Sequence, residues 1–341
     1  MENSLVGYTG FVGSNLCESM KFDGLYDSKN VKEAYGTKPH ILVYSGVPAQ
    51  KFLANQYPDK DMEIIKGAID NIKKINPHKV ILISTIDVYN KPHNVDEDSE
   101  IDIGQLQPYG KNRYYLEKWV KENYEDVLIV HLPALYGKNL KKNFIYDMIH
   151  IIPSMINKQK FQEITKEDNY IKKYYQCTDD GYYRFQDNIN KEEKNKLKEY
   201  FLKINFSALN FTDSRATYQF YNLSNLWNHI QIAIHNDIRV LNLAVEPIRA
   251  DELYKYVEDK EFKNEILEKI PMYNFKTKYA ELFGGEKEYI LTKKFILEDI
   301  RNYIIKGKKN DEWFKSKQCN INYNNYYVNY MLYDNKNTRF K

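Results

Sequence analysis

The sequence predicts an α/β protein in which helices cover both faces of a parallel, doubly wound sheet. Three observations lead to this fold class. Apolar stretches of strand length alternate with stretches of helical spacing over about the first 140 residues. The apolar stretches are nearly continuous, as in strands that are buried on both faces. A glycine-rich turn joins the first strand to a helix, which is typical of the doubly wound topology.

Length and composition indicate a globular chain without an extreme charge. The 341 residues fit one large domain or two intimate ones, and charged residues that sum to +3 are dispersed, so we expect no nucleic-acid partner. No apolar stretch reaches the roughly 18 residues of a membrane span, and the N-terminus lacks a signal-peptide pattern. We therefore expect no membrane association and a cytoplasmic location. The distant cysteines Cys17, Cys177 and Cys319 and the scattered histidines predict neither disulfides nor a metal site.

The first strand runs into the glycine-rich turn. Leu5 and Val6 precede the segment Gly7-Tyr8-Thr9-Gly10-Phe11-Val12-Gly13, and residues 14–18 are typical of a helix start. Glycines at this spacing let the backbone turn tightly and approach a pyrophosphate, whose charge the N–H groups and dipole of the helix start attract. The turn predicts a dinucleotide-binding loop, although an ordinary strand–helix turn can contain the same glycines.

Further strands and helices follow in alternation. Strands are predicted at 25–26, 40–44, 80–83 and 127–132, and helices at 61–76 and 109–124. Pro77 ends the first of these helices and Pro133 ends the last of these strands, because proline interrupts both elements.

Side chains that can exchange protons or form hydrogen bonds with a ligand lie after the strand at 80–83 and at the start of the helix at 109–124. Ser84 and Thr85 fall at the carboxyl end of the sheet, where doubly wound folds bind ligands, although hydroxyls there can also cap a turn. Tyr109, Arg113 and Glu117 are spaced by four residues on one helix face. A cation near a phenol favours the phenolate, so Tyr109 could exchange a proton with a hydroxyl or a carbonyl.

These segments resemble the extended short-chain dehydrogenase/reductases of the sugar-nucleotide epimerase, dehydratase and reductase group. The matching motifs are the glycine loop, Ser84-Thr85 with Val88-Tyr89, Pro108-Tyr109-Gly110 with Glu117, Leu132-Pro133-Ala134-Leu135-Tyr136-Gly137 and, more weakly, residues 240–244. The resemblance implies a Rossmann-like fold with a smaller, partly inserted C-terminal substrate domain. It also implies a bound NAD(P), hydride transfer to or from a nucleotide sugar, and a homodimer built on helices 61–76 and 109–124.

The resemblance assigns roles to particular residues. The catalytic residues are Thr85, Tyr109 and Arg113. The cofactor-binding residues are Gly7, Thr9, Gly10, Phe11, Val12, Gly13, Asp27, Ser28, Lys29, Ser45, Gly46, Ser84, Tyr109, Arg113 and Pro133. The substrate-binding residues are Thr85, Asp87, Lys142, Asn143 and Arg215. No residue is assigned to a metal.

The main departure from the family is Arg113, which stands where the family has a lysine. Arginine keeps the positive charge and can bind ribose hydroxyls, but it cannot deprotonate, so a proton relay through this residue is lost. Tyr114 with Lys118 is a rival Tyr-x-x-x-Lys pair that loses the registers of Pro108 and Glu117. We therefore favour Tyr109 over Tyr114.

The cofactor type and the reaction stay open. Asp27 lies about 20 residues after Gly7, where a carboxylate favours NAD, whereas Ser28 and Lys29 could hold the 2′-phosphate of NADP, which we favour slightly. Ile86 replaces an acid that dehydratases of the group use, which disfavours dehydration and leaves epimerase and reductase as alternatives. A dinucleotide-binding protein without turnover, as a redox sensor or scaffold subunit, is the alternative of a different class.

The predicted domain organisation is as follows: 1–152 for the dinucleotide-binding domain, 153–222 for an insertion or substrate-domain segment, 223–245 for a return to the sheet, 246–306 for a C-terminal substrate domain, and 307–341 for a polar tail. Within the insertion, a hairpin around Asp180-Gly181 and a helix at 191–202 are predicted, as a lid or as a surface subdomain. In the tail, Trp313-Phe314 could dock on the rest of the protein.

Overall fold

The computed structural model describes residues 2–178 and 181–309, which form two compact units. The first unit contains the described part of Met1–Leu140, together with Ala216–Arg249 and Lys269–Leu297. The second contains Lys141–Arg215, Ala250–Glu268 and the described part of Glu298–Lys341. Each unit is therefore assembled from three separate segments of the chain. Trp313 and Phe314 lie outside the described residues.

Helices and strands alternate along much of the described chain. In chain order they are β1 (Asn3–Val6), α1 (Phe11–Ser19), β2 (Gly24–Tyr26), β3 (Ile41–Tyr44), α2 (Lys51–Gln56), α3 (Pro58–Ile75), β4 (Lys79–Thr85), α4 (Pro108–Asn123), β5 (Asp126–Leu132), β6 (Ala134–Tyr136), α5 (Phe144–His150), β7 (Met155–Asn157), α6 (Lys158–Ile164), β8 (Tyr175–Cys177), β9 (Tyr182–Phe185), α7 (Lys191–Lys203), β10 (Thr217–Tyr218), β11 (Phe220–Asn222), α8 (Leu226–His235), β12 (Val240–Asn242), β13 (Ile248–Arg249), α9 (Ala250–Glu258) and α10 (Lys293–Lys309). Among the described residues, none of these helices is both long and apolar enough to cross a membrane.

A six-stranded parallel sheet forms the centre of the first unit. Its strand order is β12-β5-β4-β3-β1-β2, and each neighbouring pair is parallel. The chain moves in opposite directions across the sheet from β1, so the strand order reverses between β1 and β3. Ligands of doubly wound sheets bind outside the carboxyl ends of the strands at such a reversal. The sheet confirms the predicted doubly wound α/β fold.

Burial explains why the strands of this sheet are apolar throughout. Residues of three central strands, such as Leu42, Val80 and Ile129, are fully buried in one core cluster with residues of α3 and α4. The helix α3 contributes Ile65, Ala68, Ile72 and Ile75 to this cluster. It begins at Pro58 rather than at residue 61 as predicted, because proline suits the first position of a helix.

The segment at 269–297 shows why a linear division of the sequence differs from the observed units. The sequence placed it in a C-terminal domain, whereas it belongs to the first unit. Its backbone bonds to that unit: Asn274 donates to the Pro92 carbonyl at 2.9 Å, and Lys276 donates to the Val95 carbonyl at 2.7 Å. Such pairing between distant segments leaves no local signature in the sequence.

In the second unit, three short strands and two helices share an aromatic core. The sheet has the order β7-β9-β8 and is antiparallel. Phe161 of α6 stacks on Tyr183 at 3.8 Å between ring centroids, and Leu197 and Phe201 of α7 are fully buried in the same cluster. The predicted hairpin and helix are thus present as β8–β9 and α7; Asp180 lies outside the described residues.

Candidate active site

The glycine loop follows β1 at the reversal of strand order. Gly7 has φ +93°, and a Cβ on it would lie 2.6 Å from the carbonyl oxygen of Ser45. A Cβ on Gly13 would lie 2.1 Å from the carbonyl oxygen of Gly7. Both positions therefore require glycine. Gly10 caps α1, which begins at Phe11, three residues before the predicted start, so that Phe11 and Val12 belong to the first helical turn.

The ends of β2 and β3 frame this loop on either side. The Gly7 N–H donates to the Tyr26 carbonyl at 2.7 Å, and the Ser45 hydroxyl donates to the Val6 carbonyl at 3.0 Å. Ser45 and Gly46 thus lie beside the loop. The predicted cofactor residues that follow β1, β2 and β3 are therefore brought together at one sheet edge, where the glycine spacing predicts a pyrophosphate.

The turn after β2 contains the residues that were predicted to discriminate between NAD and NADP. The Asp27 carboxylate accepts from the Lys29 N–H at 2.8 Å, and the Asp27 N–H donates to the Asn30 side chain at 2.7 Å. The Ser28 and Lys29 side chains are exposed. Both a carboxylate and a cation are therefore present in this turn, and the choice between the two cofactors stays a prediction.

Tyr109 lies in the first turn of α4, at the same edge of the sheet as the end of β4. Pro108 starts the helix, and the Tyr109 N–H donates to Asn55 Oδ1 at 2.9 Å. A Cβ on Gly110 would lie 2.0 Å from the carbonyl oxygen of Asp87, so only glycine permits this approach of helix and loop. The Pro-Tyr-Gly sequence thereby brings the buried Tyr109 ring to the segment that carries Thr85 and Asp87.

Thr85, Asp87 and Lys51 form a polar group beside Tyr109. The Asp87 N–H donates to Thr85 Oγ1 at 3.2 Å, and the Thr85 hydroxyl lies 3.5 Å from Asp87 Oδ2. The other oxygen of the Asp87 carboxylate accepts from Lys51 Nζ at 2.8 Å. Lys51 was not predicted from the sequence, because it lies in a short helix without a recognisable motif.

Arg113 is held in a buried position next to the Tyr109 ring. One guanidinium nitrogen donates to Asp61 of α3 in a buried ion pair, and another donates to the Pro48 carbonyl at 2.8 Å. The guanidinium carbon lies 3.9 Å from the centroid of the Tyr109 ring, which is the geometry of a cation–π contact. Asp61 thus shares the charge of Arg113, a partnership that the sequence analysis missed.

The proton affinity of Tyr109 results from opposing effects. Burial raises the pKa of the phenol above its ordinary value. The charges of Arg113 and Lys51 and the hydrogen bond with Thr85 lower this pKa, whereas the charge of Asp87 raises it. Burial outweighs the rest, so the phenol is held in its protonated form by its surroundings as they stand.

A chain of buried polar groups lies behind this site. The Ser84 hydroxyl donates to Glu117, both Glu117 oxygens lie 3.1 Å from His131 Nε2, and His131 Nδ1 lies 2.7 Å from Asn242 Oδ1. Burial lowers the pKa of His131, but Glu117 and Asn242 outweigh burial and hold that pKa above its ordinary value. Glu117 of α4 is therefore linked to Ser84 of β4, to His131 of β5 and, through His131, to Asn242 of β12. The Ser84 hydroxyl belongs to this buried hydrogen-bond network.

The rival pair Tyr114 and Lys118 differs from Tyr109 and Arg113 in its surroundings. The Lys118 side chain is 60 % exposed and lies 3.8 Å from Glu122 of the same helix. Tyr114 packs against the cluster that contains Ile86, Val88 and Tyr89. These positions support the choice of Tyr109, which stays a prediction.

The predicted substrate residues are divided between the two units. Asp87 lies in the first unit, and Lys142, Asn143 and Arg215 lie in the second. Burial lowers the pKa of Lys142, and the Asn143 side chain caps α5 by accepting from the Tyr146 N–H at 3.1 Å. The Arg215 guanidinium donates to both Asp213 oxygens at 2.9 and 2.8 Å, so part of its capacity for a phosphate is already used.

Pro133 was predicted to bind the cofactor, and no residue was predicted to bind a metal. Pro133 separates β5 from β6 at the carboxyl edge of the sheet. Among the described residues, no group of three or more histidines, cysteines and carboxylates could hold a metal ion.

The doubly wound fold and the groups at its carboxyl edge can be compared with known families. Residues 27–171 match the family described as NAD dependent epimerase/dehydratase. For that part of the chain, the match confirms the resemblance inferred from the sequence motifs. None of the curated proteins matches the sequence.

Solved structures with the same fold cover nearly the whole chain. dTDP-4-dehydrorhamnose reductase from Bacillus anthracis, in complex with NADP, has a TM-score of 0.58 at 16 % identity over 90 % of this chain and 99 % of that one. UDP-glucose 4-epimerase from Thermotoga maritima, with UDP-glucose, has a TM-score of 0.57 at 12 % identity over 90 % and 99 %. The Pseudomonas aeruginosa protein RMD, complexed with NADPH, has a TM-score of 0.56 at 13 % identity over 91 % and 99 %. At these identities the likeness concerns the fold.

Proposed function

We propose that this chain is an NAD(P)-dependent oxidoreductase or epimerase that acts on a nucleotide-activated sugar, with Tyr109 as the acid/base. One observation carries the proposal. Tyr109 and Thr85 meet at the carboxyl edge of the sheet that also presents the glycine loop between β1 and β3. A hydroxyl pair at that edge is suited to exchange a proton with a substrate while a dinucleotide accepts or returns a hydride.

Each residue then has a distinct task. Gly7, Gly10 and Gly13 would hold the pyrophosphate of NAD(P), which supplies hydride acceptance and return when it is bound. Thr85 would hydrogen-bond the reacting sugar oxygen, and Tyr109 would take or give the proton at that oxygen. Arg113 packs over the Tyr109 ring and fixes its orientation. Because the guanidinium also bonds Asp61 and Pro48, it keeps the ring in place without relaying a proton.

Several features bear on the cofactor and the reaction. Ser28 and Lys29 are exposed and suited to a 2′-phosphate, so we favour NADP over NAD. The loss of an acid at Ile86 disfavours dehydration, which leaves a 4-epimerase or a ketosugar reductase. Neighbours of both kinds share the fold. The substrate is expected to be a nucleotide sugar because both kinds of neighbour are named for one, and we expect a cytoplasmic enzyme.

A second candidate is a dinucleotide-binding protein without turnover. The buried ion pair of Arg113 with Asp61 favours it, because a guanidinium that is occupied by a carboxylate has fewer donors left for ribose hydroxyls. Such a protein would bind NAD(P) through the same glycine loop. The two candidates differ only in hydride transfer.

The variant Tyr109→Phe tests the proposal. It keeps the ring and removes the proton, so turnover of the nucleotide sugar should fall by roughly 10²–10⁴ while the affinity for NAD(P) changes little. Dinucleotide binding is measured by calorimetry, and turnover by nicotinamide absorbance or by product analysis. Tyr114→Phe is the matched control and should stay close to wild type. Equal activity in Tyr109→Phe and wild type would show that the acid/base assignment is wrong, and no binding of any dinucleotide would exclude both candidates.

A further inference from the structure

We propose that Lys51 is a positioning residue of this reaction: its ammonium group neutralises Asp87 and thereby allows the Tyr109 phenol to release its proton. The proposal rests on the proposed function, in which Tyr109 is the acid/base. It assigns a role to the short helix α2, which contains no motif of its own. It also assigns Asp87 to the electrostatics of the phenol rather than to substrate binding alone.

The contacts of the segment 48–55 hold Lys51 at the site. The Pro48 carbonyl accepts from Arg113, and Asn55 Oδ1 accepts from the Tyr109 N–H at 2.9 Å. Both ends of the segment are thus tied to the first turns of α4. Between these ties, Lys51 Nζ reaches Asp87 Oδ1 at 2.8 Å. The ion pair is therefore fixed by its surroundings, unlike a pair of mobile surface side chains.

The charges around the phenol form two pairs. Arg113 of α4 is paired with Asp61 of α3, and Lys51 of α2 is paired with Asp87, which follows β4. Arg113 lies over the face of the Tyr109 ring and shares its charge with a buried carboxylate. Lys51 is consequently the cation that offsets Asp87. Without it, an unpaired carboxylate would remain beside the phenol, and phenolate formation would bring two negative charges together.

The sign of the expected effect follows from these charges. Asp87 raises the pKa of Tyr109 and Lys51 lowers it. Removal of the ammonium group should therefore move the titration of Tyr109 to higher pH, and removal of the Asp87 carboxylate should move it to lower pH. If Lys51 only tied α2 to the loop after β4, its replacement would change stability and leave the titration where it was.

The experiment replaces Tyr109 by 3-fluorotyrosine in the full chain and follows its ¹⁹F resonance against pH. The midpoint should lie higher in Lys51→Met than in wild type, near wild type in Lys51→Arg, and back towards wild type in Lys51→Met combined with Asp87→Asn. Lys111→Met is the matched control, because Lys111 is an exposed lysine of α4, and it should not move the midpoint. Sugar oxidation at a pH below the midpoint should fall about tenfold in Lys51→Met.

An unchanged midpoint in a folded Lys51→Met variant would overturn the proposal. If that variant does not fold, Asp87→Asn alone decides: a lower midpoint supports the proposal, and an unchanged one overturns it. The titration needs no turnover, so it is separate from the proposed function. If the midpoint shifts in Lys51→Met while Tyr109→Phe keeps full activity, the effect of the Lys51–Asp87 pair on the phenol stands. Only the assignment of Tyr109 as the acid/base would then be wrong.

Discussion

At the scale of single residues, Arg113 departs most clearly from the family to which the sequence is similar. Its guanidinium makes three different contacts at once: an ion pair with Asp61, a hydrogen bond with the Pro48 carbonyl and a cation–π contact with Tyr109. A planar group with several donors can satisfy these partners together, whereas an ammonium group is a single point of charge. The Arg113 guanidinium therefore connects α3, the segment before α2 and the Tyr109 ring.

We predict that Arg113→Lys lowers turnover by roughly 10- to 100-fold, because the lysine cannot pack over the Tyr109 ring and bond both Asp61 and Pro48. Steady-state kinetics with NAD(P) and a nucleotide sugar measure the effect. The control is Arg301→Lys, which alters a more distant cation–ring pair at 5.8 Å on the exposed face of α10. A gain of activity in Arg113→Lys would instead favour a protein that has lost turnover through this arginine.

The sequence predicted some of these residues and missed others for a physical reason. Tyr109, Thr85 and Glu117 could be proposed from the sequence because helical spacing and strand ends are local patterns. Asp61 and Lys51 were missed because their importance comes from partners more than 30 residues away. Ser84 was predicted to bind the cofactor, but its contact with Glu117 depends on a helix and a strand being adjacent.

At the scale of elements, the start of α4 determines the geometry of the site. The helix approaches the loop after β4 so closely that no side chain fits at Gly110. The approach sets the distance between Tyr109 and the groups of that loop. The motif of proline, tyrosine and glycine thus has a steric meaning beyond its role as a family signature.

We predict that Gly110→Ala destabilises the protein by about 2–3 kcal/mol or displaces α4, since its Cβ would meet the Asp87 carbonyl. Turnover should fall along with the stability. The matched control is Gly67→Ala in α3, where nothing lies near the added Cβ, and it should stabilise the protein by about 0.5–1 kcal/mol. Urea unfolding checks both values, and equal stability of the two variants would contradict the steric explanation.

At the scale of the whole molecule, α3 and α4 are the helices through which we expect the protein to self-associate. Ile64 of α3 and Tyr115 of α4 are 44 % and 48 % exposed, whereas Ile65, Ile72 and Leu116 of the same helices are buried. In an isologous dimer, each of these side chains would be covered on both copies if it lies in the contact. The homodimer that the resemblance implies stays a prediction.

We predict a homodimer at micromolar concentration that Ile64→Glu weakens at least tenfold, because the contact would then bury an unpaired charge. Analytical ultracentrifugation measures the association. Phe295→Glu is the control, since Phe295 is 51 % exposed on α10, away from α3 and α4 in the chain, and it should not alter the association. A monomeric wild-type protein would contradict the prediction.

The fold as a whole was easier to predict than its division into units. Buried parallel strands and amphipathic helices have local periodicities, so the doubly wound sheet could be inferred from the sequence. The segment 269–297 joins the first unit through backbone bonds to residues near 92 and 95, and such bonds have no periodicity to detect.

The first two turns of α4 have a consequence for the order of assembly. Three of their ties join residues that are 54, 52 and 65 positions apart in the chain, through Asn55, Asp61 and Pro48. Contacts of that sequence separation cost loop-closure entropy before they contribute any stabilisation, so they should appear after the local helical structure. In a refolding time course, we expect nucleotide-sugar turnover to recover after the helical signal, and simultaneous recovery would contradict this order.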